Sequence, residues 1–288
     1  MLVLTVLALA LGAASKATLQ SLFGKKNIKC FDDAIIFNVL VFITSSLVAA
    51  VFGDLSKLNS KTVIVSIIFG VTCFLFQIVY MKTMSDGPVS ITVLFSNFGM
   101  IIPIIVSILF YNEKVTEKTV IGFVLVAASI ILNALGKDDK KATKKWLGYA
   151  FLTFLTSGTM VAVQKISSSN LSDSETVNFV SVSYAAAAVL AFAVYFFRKK
   201  FMSGGRTFKM GWFAVLSAVA IGAILSAVQV YLTRGIEKFG ALILLPCYNC
   251  GTVVMVFIVG LILFKEKHSL PQWISALLGV AAIVFLSL

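Results

Sequence analysis

Histidine occurs once in this chain, at His268, and aspartate and glutamate together number 12 among 288 residues. None of those carboxylates falls well inside a long apolar run, so a proton relay through a buried acid has no evident carrier. His268 lies in the last polar gap and cannot shuttle protons at a membrane centre. No clustered aspartates are present to hold magnesium diphosphate and no His-Asp pair to run acyl transfer, which removes two common chemistries of membrane enzymes. The pattern G-x-x-x-x-G-K-[ST] is missing too, and ATP-driven transport with it. The four cysteines, Cys30, Cys73, Cys247 and Cys250, form no zinc pattern. Cys247 and Cys250 have C-x-x-C spacing inside an apolar run with no second ligand pair, so they read as small packing residues. No metal site, cofactor or catalytic residue is expected.

What the chain has in excess is apolar side chain: 59% hydrophobic and 12% charged residues, with mean hydropathy +1.01, against about 45–50% and about 25% in a soluble domain. An apolar surface on that scale is tolerated by lipid. Cutting the apolar runs at the charged clusters gives ten membrane helices, near 1–23, 34–53, 62–84, 88–111, 118–136, 146–166, 174–197, 210–235, 239–264 and 270–288. The Leu- and Ala-rich stretch from Met1 to Ala14 lacks a basic region before it and reads as a retained first span, not a secretory signal. The connections are too short to fold as domains and offer a protein partner little surface, so the function belongs to the bundle. The net charge of +12 lies mostly in those connections, where it bears on orientation; no nucleic acid is expected.

The chain repeats itself. Gly87 to Glu113 and Gly240 to Glu266 have equal spacing, each a glycine followed by a long apolar run and a basic-acidic cluster, Asn112-Glu113-Lys114 and Lys265-Glu266-Lys267. Upstream, Gln77 and Tyr80 resemble Gln229 and Tyr231, Asn38 roughly matches Asn178, and Gln20 matches Gln164. The expected organisation is an all-α membrane protein of ten transmembrane helices in two inverted five-helix repeats, 1–136 and 146–288, joined by a basic loop, 137–145. An odd number of spans per repeat starts the second copy from the opposite side, which suits alternating access around a midplane site.

Polar groups within spans mark the candidate site, since hydrocarbon penalises them unless they face a partner or a cavity. Asn97 and Asn249 lie about nine residues into matching helices, one position apart in the repeat register. Facing each other they offer donors and acceptors to a zwitterion without net charge; alternatively each only bonds a neighbouring helix. Gln20, Gln77, Gln164, Gln229, Asn38 and Asn178 lie nearer helix ends, as packing groups or ligand contacts. Tyr184 and Tyr248 lie deeper than Tyr80 and Tyr231, which suit the headgroup zone. Pro103, in mid-run, is a hinge or a tolerated bend. Lys16, the clearly intramembrane charge, either snorkels to the interface or joins Lys82, Lys165 and Arg234 in holding an anion such as a phosphate or carboxylate. Lys82, Lys165 and Arg234 also suit helix ends, where cations complement the terminal carbonyls. Glu113 and Glu266 are candidates for gating or coupling.

This arrangement resembles the EamA-type branch of the drug/metabolite transporter superfamily. The resemblance rests on Tyr80-Met81-Lys82-Thr83-Met84-Ser85-Asp86-Gly87-Pro88 and Tyr231-Leu232-Thr233-Arg234-Gly235 before the fourth and ninth spans, on Glu113 and Glu266 after them, and on Gly12, Gly158 and Lys165 in the first helices of the repeats. Lys16 comes too early to match that lysine. The resemblance implies secondary transport, often export, of amino acids, metabolites or amphipathic compounds through a cavity between the halves, by a multi-pass protein of the cell membrane, monomeric or homodimeric. It also implies both termini inside. The charges argue otherwise: connections after odd-numbered spans hold sixteen Lys or Arg and those after even-numbered spans seven, which puts both termini outside.

Overall fold

The computed structural model describes residues 1–27, 31–54, 56, 58–134, 143–201, 211–263 and 269–287. These form α1 (Leu2–Asn27), α2 (Phe31–Phe52), α3 (Ser60–Asp86), α4 (Val89–Phe98), α5 (Ile101–Tyr111), α6 (Glu117–Ala134), α7 (Lys144–Asn170), α8 (Asp173–Phe201), α9 (Trp212–Phe239), α10 (Ala241–Leu263) and α11 (Leu270–Ser287), with no strand among the described residues. Ten spans are long and apolar enough to cross a bilayer, as the sequence leads one to expect. In hydrocarbon each backbone amide needs its partner within the segment, so these runs have no stable alternative to helix.

The fourth span departs from expectation in being two helices. Its ladder breaks at Gly99 and Met100, whose amides bond the Ser96 and Asn97 carbonyls at 3.2 Å instead of continuing the α pattern. Pro103 supplies the reason: it has no N–H to give the Gly99 carbonyl, which instead accepts from Ile102 at 3.1 Å.

The bundle carries large side chains outward and small polar ones inward. Leu4, Val51, Phe52, Leu109, Phe110 and Leu277 are more than 60% exposed, toward what is lipid in a membrane, whereas Ser45, Ser66, Ser129, Thr153 and Ser275 are fully buried. Small hydroxyl residues let helices approach and satisfy carbonyls across the contact. Ser45 donates to the Gly222 carbonyl at 2.9 Å, joining α2 to α9, and Ser129 and Ser275 each donate to the other's carbonyl, joining α6 to α11. A Cβ on Gly222 would meet the Val41 carbonyl oxygen at 2.8 Å, and one on Gly70 would run into the Ser183 carbonyl oxygen. Thus α9 lies on α2 and α3 on α8 at backbone contact.

The first helix of each sequence half leaves its own half. α1 packs on α9 and α10, while α7 packs on α3 and both pieces of the broken span. With spans crossing in alternation, one end of the bundle holds the start of α1, the end of α11 and the α5–α6 turn, and the other, the basic end, holds the last turns of α1, α6 and α8.

Candidate functional site

Asn97, Tyr248 and Asn249 line one cavity of about 130 Å³ in the middle of the bundle, walled also by Phe76, Ser96, Met100, Ser157 and Met160. Asn97 is brought there by the last turn of α4, just before the break, and Asn249 by the third turn of α10. Asn249 donates through Nδ2 to the Met100 sulfur at 3.0 Å, a weak acceptor, so its amide keeps most of its hydrogen-bonding capacity for another molecule. The Ser157 hydroxyl donates to the Ser96 carbonyl at 2.6 Å, a second donor beside the Gly99 amide at the break. At about 30 Å³ per water this space holds about four waters, room for the polar head of a small solute.

A larger cavity of about 960 Å³ lies nearer the basic end, lined by Gln20, Asn38, Gln77, Tyr80, Met81 and Arg198 among others. Its polar wall is organised: Gln77 Nε2 donates to Asn38 Oδ1 at 3.2 Å, Asn38 donates back to the Ala34 carbonyl at 2.8 Å, and Arg198 pairs with Asp32 at 2.7 Å. The size is that of a pocket for a whole small organic ligand. Phe76 of the central cavity and Gln77 of this vestibule are neighbours on α3.

Toward the termini end Glu113 ties the α5–α6 turn to α7 and α10. After α5, Asn112 takes the left-handed conformation (φ 52°) that asparagine tolerates, and the chain turns Glu113 back over the bundle. Its carboxylate pairs with the Lys165 ammonium of α7 at 2.7 Å and accepts from the Ala241 and Leu242 amides, at 3.2 and 3.0 Å, at the start of α10. That is the favourable end of a helix for an anion. Gly240 (φ +79°) makes the turn from α9, and a Cβ there would stand 3.1 Å from the Glu113 carboxylate. Lys165 also lies over the Tyr111 ring, 4.8 Å from its centre. Burial by itself would push the Glu113 carboxyl up. The hydrogen bonds from Lys165, Leu242 and Ala241, with the lysine's charge, outweigh it and hold the carboxyl below the ordinary glutamate value.

The remaining candidates do not converge on the central cavity. Gln164 donates to Thr233 at 3.0 Å and pins α7 to α9; Asn178 donates to the Asp54 carbonyl at 2.8 Å and fixes the α2–α3 turn; Gln229 is buried, with its Nε2 unbonded among the described residues. Tyr184 stacks on Phe42 within a packed core of α2, α3 and α8. The four cations of the anion-site reading are spread along the bundle: Lys82 pairs with Asp86 at the basic end at 2.9 Å, Lys165 and Arg234 belong to the termini end, and Lys16 is in mid-helix. Lys165, read from sequence as a helix-end cation needing no partner, is buried and ion-paired. Glu266 lies outside the described residues. Phe76, Met100 and Met160 were not foreseen, because an apolar side chain facing a cavity is of the same type as one facing lipid. Ser96 and Ser157 were visible as polar residues in mid-span.

One solved crystal structure superposes on this fold with a TM-score of 0.74 at 13% identity, covering 98% of this chain and 94% of its own; at that identity the likeness is of fold alone. No curated protein matches in sequence. Residues 4–135, the first five spans, match the model of the EamA-like transporter family, consistent with the drug/metabolite transporter superfamily.

Proposed function

We propose that this protein is a secondary transporter that exports a small organic solute, an amino acid, metabolite or amphipathic compound, by alternating access through the central cavity. The observation that carries the reading is the meeting of Asn97 and Asn249, from matching spans of the two repeats, in one small polar cavity, with the vestibule on one side and the Glu113 contacts on the other. Inverted repeats would make the two gated arrangements similar in energy. The glycine contacts support such a relation: Gly70 and Gly222 stand in the same register as Gln77 and Gln229, and each seats its helix on the other half. Charge supports the direction. With the basic end cytoplasmic, the vestibule is the loading side and both termini are outside. A C-terminal tag labelled by an impermeant reagent in intact cells is the expected result; protection of the tag reverses the orientation and the direction with it.

Counterflow in proteoliposomes tests transport itself. A labelled solute from an amino-acid and metabolite panel should accumulate against unlabelled solute trapped inside, without ATP. Failure of the whole panel to exchange would sink the proposal.

A further inference from the structure

Lys16 has no role in the sites described so far, and its surroundings require one. It occupies the middle of α1, which runs past the expected boundary to Asn27. Eleven residues, about 16 Å at 1.5 Å per residue, separate it from that end. A four-carbon stem cannot span that distance, so snorkelling to the headgroups is ruled out on length. α1 packs along α9 and α10. Ala17 and Gln20, next to Lys16 and one turn on, line the vestibule. Lys16 therefore lies one turn deeper than Gln20, on the same face of α1.

No counter-ion waits for it. Every aspartate and glutamate lies at a helix end or in a connection, and among the described residues Lys16 has neither a carboxylate within ion-pair distance nor a hydrogen-bond acceptor. A cation held at mid-membrane without a counter-charge is costly and marks a pathway.

We infer that the solute supplies the missing charge: it carries a single carboxylate, which the Lys16 ammonium holds while its remaining polar groups bond Asn97 and Asn249. This rests on the transport reading and narrows its substrate class. One lysine matches one negative charge, and Asn97, Asn249 and Tyr248, which line the cavity, add none. A phosphate monoester, near two negative charges at neutral pH, would bring one in excess.

The test is counterflow by the full-length protein with twenty amino acids and a set of 2-oxo acids, each beside its carboxamide, and sugar phosphates as a third group. At least one carboxylate should exchange, its carboxamide at least tenfold more slowly, and the sugar phosphates not at all. Lys16→Met, which keeps length and removes charge, should abolish the preference for carboxylate over carboxamide, and Lys16→Arg should retain it. Thermal stabilisation of the purified variants by the same solutes reports binding where transport is slow. Equal exchange of acid and amide, preference for the sugar phosphates, or an unchanged preference in Lys16→Met each overturns the inference while leaving transport standing. Absence of exchange by every solute overturns the transport reading instead.

Discussion

Glu113→Gln is expected to destabilise the protein by about 3–5 kcal/mol, because it leaves the Lys165 ammonium buried without its counter-charge and weakens the cap on α10. The thermal midpoint of the purified protein should fall clearly. The same substitution should loosen the termini end: a cysteine replacing Ser157 in the central cavity, in a background without native cysteines, should react faster with an impermeant thiol reagent applied from that side. Unchanged reactivity would mean that Glu113 stabilises the bundle without gating it. The pH dependence has a definite sign. The folded carboxyl titrates below the ordinary glutamate value of about 4.3, so its contribution is complete above that pH and is lost as the pH falls through the depressed folded value. Wild type should therefore lose stability in acid by a component that Glu113→Gln, with nothing to protonate, does not show. At neutral pH the carboxyl in this arrangement is ionised, which suits a latch and gives it no proton to release.

Asn97→Leu and Asn249→Leu should each reduce counterflow by about ten- to a hundredfold, the effect of losing one hydrogen bond to a charged group of the solute, about 1.5–3 kcal/mol. Their stability should hold. Among the described residues the Asn249 amide has only the Met100 sulfur as a partner, and a leucine, with the same branching, belongs in an apolar bundle. The opposite pattern, intact exchange with a lower thermal midpoint, would identify the asparagines as packing groups. Substituting Gln164 or Asn178, which bond Thr233 and the Asp54 carbonyl, should give that opposite pattern.

The ten spans could be read because lipid makes each a self-contained problem: length and hydropathy decide it residue by residue. The asparagine pair could be read because a carboxamide nine residues deep in hydrocarbon stands out against its background. The Glu113–Lys165 pair could not, since its partners are 52 positions apart and each alone is a plausible interfacial charge. The break in span 4 was half visible: Pro103 announces a lost bond, but that α7 lies close enough for Ser157 to reach the Ser96 carbonyl, 61 positions away, is settled by packing alone. Gln164 and Gln229 have the same residue type and similar depth as vestibule-lining Gln77, and only the neighbouring helix separates packing from pathway.

The exchanged first helices carry a consequence for movement. α7 is fastened to the opposite half at three levels: Trp146 donates to the Thr83 carbonyl at 3.0 Å, Ser157 to Ser96, and Lys165 pairs with Glu113. α1 is likewise embedded between α9 and α10. Gene order and packing units therefore do not coincide. A polypeptide ending at the basic loop would lack the helix that lies against its own broken span, and any rigid body that moved in a transport cycle of the kind proposed would draw helices from both halves of the sequence.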